Sequence, residues 1–189
     1  MALLKNKILN AKNFWWILLL LFLLFIHCAY DRNYDEGVIL AGAWELINNR
    51  ELYKDFFAFV PPGSFYLVFW VWKIFGVHYF VAKFLALLFI FFSAIGINKI
   101  CCLVAKDKFC ILAPVVFIIS TLYWPITNHN TFNIFFIVWA VYFFIKGLKD
   151  YSINNFIISG LLTGLSIICL QHKGITILLA LSSFLLAYD

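Results

Sequence analysis

Six runs of apolar residues, at 13–30, 79–97, 109–126, 130–145, 153–170 and 174–188, dominate the chain, with one long mixed interval, 31–78, after the first. A helix needs about 20 residues to cross a bilayer, with about 17 as the lower limit. The fourth and sixth runs are short and need a thinned bilayer or extension into the interface. The chain is 65% hydrophobic and 12% charged, with a mean hydropathy of +0.98. An ordinary soluble domain is about half apolar and about a quarter charged, and a chain this small has too little interior to hide the surplus. Soluble globular, disordered, collagen-like and disulfide-rich secreted folds are excluded on these grounds. The expected fold is all-α: a polytopic integral membrane protein with about six transmembrane helices, forming a single membrane domain over 1–189. The interval 31–78 is expected to be the first extracytoplasmic loop and to carry juxtamembrane helices.

A seventh apolar stretch, 61–75, opens with Pro61-Pro62-Gly63 and reaches Gly76 after too few residues to span. Charge points the same way. If this stretch stays on one side, Lys5, Lys7, Lys12, Lys99, Lys106, Lys108, Lys146 and Lys149 all share a face with only Asp107 and Asp150. By the positive-inside rule that face is cytoplasmic, together with the N-terminus. The first run lacks a small-x-small cleavage site around Ile26-His27-Cys28-Ala29 and reads as a retained anchor rather than a signal peptide. The expected location is a membrane, of the bacterial inner or plasma membrane type.

Basic residues are scattered in small groups, without the stripe that would track a nucleic-acid backbone, so no nucleic-acid partner is expected. Cys28, Cys101, Cys102, Cys110 and Cys169 show neither metal-ligand nor disulfide spacing. They read as small buried hydrophobes, with palmitoylation of Cys101-Cys102 the alternative.

Six of the nine acids, Asp31, Asp35, Glu36, Glu45, Glu51 and Asp55, fall in the first part of the outside loop. Asp35 and Glu36 open a stretch with Val38, Ala41, Trp44 and Ile47 at helical spacing, which predicts a short amphipathic helix lying on the outer membrane surface. Carboxylates in a first turn are favoured by the helix dipole, so these acids alone need be no more than a helix start. Asn48-Asn49 is the expected end of the helix.

The order of elements is more specific. Tyr34-Asp35-Glu36-Gly37, then Glu51-Leu52-Tyr53-Lys54-Asp55-Phe56-Phe57, then Pro61-Pro62-Gly63, then Trp72-Lys73-Ile74-Phe75-Gly76 follow directly after a first span. This arrangement resembles the first periplasmic loop of GT-C type membrane glycosyltransferases. It is most similar to glycosyltransferase family 39, the dolichyl-phosphate-mannose protein mannosyltransferases and bacterial aminoarabinose transferases of lipid A. The likeness is strong over 34–76 and weaker beyond, where His172-Lys173-Gly174 is similar to a Lys-Gly step after a later span.

The resemblance implies sugar transfer from a polyprenyl-phosphate-linked donor to a lipid, glycan or protein acceptor on the outer side of the membrane. Such chemistry needs a carboxylate by the acceptor or the cationic transition state. Asp35 matches the family's acidic motif and is the expected catalytic residue, with Glu36 second. The leaving phosphate needs fixed positive charge, for which Lys173 is the leading candidate and Lys54 and Arg50 are alternatives. Lys73 reads as a snorkelling interface residue. The next outside loop, Trp124-Pro125-Ile126-Thr127-Asn128-His129-Asn130-Thr131, lacks the second acid that the family often has. A divalent metal is therefore unsupported and no cofactor is expected; His129 there reads as a solvated residue. Family members carry around a dozen spans, so this chain is expected to be the N-terminal part of a longer enzyme or a truncated relative. The competing expectation is a non-catalytic membrane protein that binds polyprenyl lipid or scaffolds a partner.

Overall fold

The computed structural model of the protein describes residues 34–105, 108–122 and 127–188. The expected first crossing at 13–30, and Lys5, Lys7, Lys12 and Lys106 of the charge argument, lie outside them. Among the described residues there are seven α-helices and no strand: α1 (Tyr34–Ile47), α2 (Gly63–Phe75), α3 (Tyr79–Val104), α4 (Leu112–Leu122), α5 (His129–Asp150), α6 (Ile153–Cys169) and α7 (Gln171–Tyr188). A 3-10 turn, Lys108–Ile111, leads into α4. All belong to one compact unit, Asn33–Asp189.

Two helices, α3 with 26 residues and α5 with 22, are long and apolar enough to cross a membrane. Only 44% and 39% of their most apolar windows are buried, so neither is a concealed core helix. The helical part of the third expected crossing is shorter than its apolar run: α4 has 11 residues. Leu170 alone separates α6 from α7.

Helix ends follow local chemistry. In α1, Asn49 takes a left-handed φ of 61°. Its N–H donates to the Leu46 carbonyl at 3.1 Å, and the Arg50 N–H reaches back to Glu45 at 3.1 Å. This is a Schellman closure, and it ends the helix where Asn48-Asn49 predicts. The Asn128 side chain caps α5 by accepting from the Thr131 N–H at 3.0 Å. At its other end Tyr151 adopts φ 50°, and α6 starts two residues later, so α5 and α6 form a tight hairpin.

The face of α1 that packs within the protein is offset from the Val38, Ala41, Trp44 and Ile47 stripe. Glu36, Ile39, Gly42, Ala43 and Leu46 face inward, whereas Ala41 and Trp44 are exposed. The stretch is apolar nearly all round, so periodicity alone defines two competing stripes. Gly42 decides between them, because a Cβ there would lie 2.4 Å from the Phe65 ring. The bare side of α1 therefore lets α2 approach.

α2 has 13 residues, a length of about 20 Å at 1.5 Å per residue. It starts against the end of α6, where a Cβ on Gly63 would meet the Ile168 carbonyl oxygen at 2.9 Å. It finishes beside the start of α3, where the Trp72 indole donates to the His78 carbonyl at 3.0 Å. The helix thus lies across one end of the bundle. Phe65, Val68 and Trp72 bury one side of it against Ile39, Ala43 and Phe132.

The bundle below has a different interior. The buried positions of α6 are Asn155, Ser159, Thr163, Ser166 and Cys169, while Ile157, Leu161 and Leu165 face outward. Ser159 Oγ donates to the Ala140 carbonyl at 2.8 Å, and Asn133 Nδ2 donates to Ser166 Oγ at 2.8 Å, so hydrogen bonds join α5 to α6. On the other side of α5, Phe89 of α3 packs edge-on to Phe132 with ring centroids 4.9 Å apart.

Candidate functional site

Four chain segments meet at the end of the bundle covered by α1 and α2: the start of α1, the start of α3, residues 127–131, and the turn between α6 and α7. Asp35 and Glu36 are neighbours in the first turn of α1, so they point about 100° apart around the helix axis. One faces the bundle and the other faces a cleft.

Glu36 is the buried one, with 2% of its surface exposed. Its Oε2 accepts from Lys83 Nζ and from the Tyr79 hydroxyl, both at 2.9 Å, and its Oε1 accepts from the Thr127 N–H at 3.0 Å. Lys83 also lies over the Tyr79 ring, 5.4 Å from its centroid. Burial alone would push the Glu36 carboxyl up. Hydrogen bonds from Thr127 and Lys83, together with the Lys83 charge, outweigh it and hold the group below the usual carboxylate range. Glu36 therefore ties α1 to α3 and to the segment before α5. It lies away from the cleft, which does not suit the proton-transfer role for which it was the second candidate.

Asp35 is exposed and lines the mouth of a cleft of about 610 Å³ between α3, α4 and α5, together with Asn128, Asn130 and Thr131. Beside this mouth, Lys173 Nζ donates to Asn130 Oδ1 at 2.7 Å. The two leading candidates of the sequence, one near each end of the described chain, are thus brought to one place. His129, partly buried at the start of α5, lies beside the Lys173–Asn130 contact, with its Nε2 3.3 Å from Asn130 Nδ2.

Gly174 explains how Lys173 arrives there. Its Cα lies so close to the last turn of α6 that an added Cβ would meet Ile167 N at 2.5 Å. The first turn of α7 can fold back on α6 only without a side chain at this position. That folding carries Lys173 to the start of α5, and it gives the Lys-Gly step a steric reason.

The other cations are elsewhere. Arg50 pairs with Glu45 at 3.0 Å and Lys54 with Glu51 at 2.9 Å, both in the exposed part of the loop. Neither lines the cleft. Lys73 lies over the Trp70 ring at 5.1 Å from its centroid, as expected of a residue whose stem covers apolar surface. Among the described residues, no group of three or more His, Cys, Asp or Glu side chains could hold a metal ion.

Sequence reading missed Lys83, Thr127 and Asn130. For Lys83 a signal existed: a cation one turn into a 26-residue apolar helix needs a partner, and the first outside loop holds most of the acids. Thr127 contributes its backbone N–H to Glu36, which no side-chain pattern announces, and its hydroxyl donates to the Ala82 carbonyl at 3.3 Å. No protein-family model, curated protein or solved structure matches this chain.

Proposed function

We propose that the protein is a polytopic membrane glycosyltransferase that moves a sugar from a polyprenyl-phosphate donor to an acceptor at the outer membrane face. The convergence of Asp35 and Lys173 on one cleft mouth carries this reading. A carboxylate and a fixed cation beside one cleft divide the work of the reaction. The carboxylate takes the acceptor proton or stabilises the cationic sugar, and the cation stabilises the phosphate that leaves. The resemblance assigns the same two residues those two roles.

Membrane embedding is supported by the inverted interior of α6. In lipid the outward faces need no concealment, and helices associate through small residues and hydrogen bonds rather than through hydrophobic burial. In this reading α3 to α7, with the run at 13–30, are the six crossings. α1 and α2 then lie at the outer surface, since both ends of α2 are at the same end of the bundle. Lys99 and Lys149 belong to the opposite, cytoplasmic end, where Lys149 Nζ reaches the Leu103 carbonyl at the foot of α3.

The test is transfer of labelled sugar from polyprenyl-phosphate donors in membranes with matched expression of each variant. Asp35→Asn is expected to lower transfer by roughly 10²–10⁴-fold, the usual worth of a positioned acid or base. Lys173→Gln should lower it too, while Lys54→Gln and Glu51→Gln change little. Near-normal transfer by Asp35→Asn would refute the assignment. Donor binding without transfer by the wild type would move the protein to the non-catalytic lipid-binding reading.

A further inference from the structure

The Asn130 amide joins two side chains, and they constrain it from both ends. Its Oδ1 accepts from Lys173 Nζ at 2.7 Å, and its Nδ2 lies 3.3 Å from His129 Nε2. A lysine ammonium carries donors and no acceptor, so it decides which end of the amide it meets. Oδ1 must face Lys173, and Nδ2 is left to face the ring. An N–H aimed at a ring nitrogen needs that nitrogen bare. The arrangement therefore requires a neutral His129 with its proton on Nδ1, because the hydrogen bond made at one ring nitrogen sets where the proton sits.

Protonation of the ring breaks this order. Both nitrogens of a charged imidazole are donors, so Nε2–H would meet the amide N–H. The charged ring then competes with Lys173 for the one amide oxygen, and its positive charge repels the ammonium as well. If Oδ1 turns to the ring, the amide N–H groups face the ammonium, donor against donor, and Lys173 is released. The titratable groups acting on the ring are Asp35 of α1 and His172 and Lys173 of α7. Lys173 is exposed on a long stem, whereas Asn130 belongs to a first turn fixed by the Asn128 cap. The helix thus places the acceptor, and the acceptor places the ammonium.

We infer that Asn130 is a positioning residue that holds the Lys173 ammonium at the cleft mouth only while His129 is neutral. The inference rests on the sugar-transfer reading for what the ammonium is held for, and it adds a proton-sensitive gate to that site. In that reading the mouth lies at the outer surface, where pH follows the surroundings rather than the cytoplasm. Histidine ordinarily titrates above a carboxylate, so acidification would disengage Lys173 before it neutralised Asp35.

Two measurements on the purified protein in micelles test this. Nitrogen NMR with isotope-labelled histidine reads the ring protons directly, and His129→Gln identifies the His129 signal. With the ring neutral, the proton is expected on Nδ1, the minority form of free imidazole in water. Asn130→Ala and Lys173→Gln should each return the ring to the ordinary mixture. A proton on Nε2 in the wild type would overturn the inference. The second measurement is sugar transfer against pH. As pH falls, the wild type should lose about tenfold, the usual worth of a hydrogen bond to a charged group, in a step above the carboxylate range. Asn130→Ala should sit at the lowered level without that step. His129→Gln keeps a neutral acceptor at the reach of Nε2 and should stay at the higher level, while His172→Gln should keep the step. If folded His129→Gln retains the step, or His172→Gln removes it, the gate is overturned while the transfer reading stands. Thermal unfolding shows whether His129→Gln folds, and if it does not, the ring proton in the wild type decides. If the wild type transfers no sugar, the transfer reading fails, and the ring proton still decides whether Asn130 couples His129 to Lys173.

Discussion

In α1 and α2 the buried positions belong to Ile39, Ala43, Leu46, Phe65, Val68 and Trp72, whereas in α6 they belong to Asn155, Ser159, Thr163 and Ser166. The first set is what water expels. The second set is what the proposed bilayer setting would leave to find its own partners, because hydrocarbon outside offers no driving force for burying Leu or Ile inside. The apolar core itself runs from the cap into the bundle through Ala82, Phe132 and Phe136, so the polar buried face belongs to α6 in particular, while Glu36 meets Lys83 where α1 joins α3. The cap is fixed to the bundle there by a buried ion pair, and the cleft mouth lies beside it.

The most damaging change should be the one that breaks this junction from one side. Glu36→Gln keeps the shape but removes the carboxylate that Lys83 and Tyr79 contact at 2.9 Å, and breaking such a pair typically costs about 3–5 kcal/mol. Glu36→Gln with Lys83→Met removes both charges and should recover most of that loss, since apolar replacements of buried pairs are often neutral. Thermal unfolding in detergent micelles reads both. If the double variant is no more stable than Glu36→Gln alone, the lost Glu36–Lys83 ion pair is not the cause. The same pair should make stability depend on pH. A carboxyl held below its unfolded-state value contributes stability that is fully present above that value and is lost as pH falls through the folded one. The wild type should therefore lose stability on acidification in the acid range, and the double variant should show a flatter profile. Equal profiles would remove Glu36 from the account.

The contrast also explains what the sequence made legible. Helix positions and the end of α1 at Asn48-Asn49 followed from apolar runs and turn residues. The buried face of α1 did not, because every residue of 38–43 is apolar or glycine and the choice turned on contact between Gly42 and Phe65. The role of Glu36 was hidden for a related reason. Two adjacent acids look equivalent in a sequence, and only the helical turn sends one toward Lys83 and the other to the cleft. Thr127 and Asn130 act through a backbone N–H and a second-partner amide, so they carry no motif of their own.

A second, smaller effect would sharpen the contrast between the two interiors. Thr163 is 1% exposed, on the inward side of α6, and its hydroxyl donates to the Ser159 carbonyl at 2.8 Å. Thr163→Leu adds apolar volume where a soluble core would accept it. Here it should overpack the helix contact and cost about 1–3 kcal/mol. Leu161→Ser, on the outward side of the same helix, should cost much less in micelles, although by soluble-protein logic it is the harsher change. A reversed order of unfolding temperatures would place α6 in a water-facing protein.

The smallest effect tests the cap by itself. Asn49 is exposed and its side chain fills no core, so its contribution is the left-handed backbone that closes α1. A residue with a β-carbon and no local polar group pays roughly 1–2 kcal/mol there, while glycine is free of the clash. Asn49→Ala should therefore lower stability by about 1 kcal/mol, and Asn49→Gly should leave it near the wild type. The Schellman bonds from Asn49 and Arg50 set where α1 ends, but Asp35 lies at the far end of the helix, held by Glu36. Sugar transfer should thus stay close to normal in both variants, in contrast with the loss expected from Glu36→Gln. If Asn49→Ala reduces transfer as much as Glu36→Gln does, the position of Asp35 is set by the whole loop rather than by the ion pair at the start of α1.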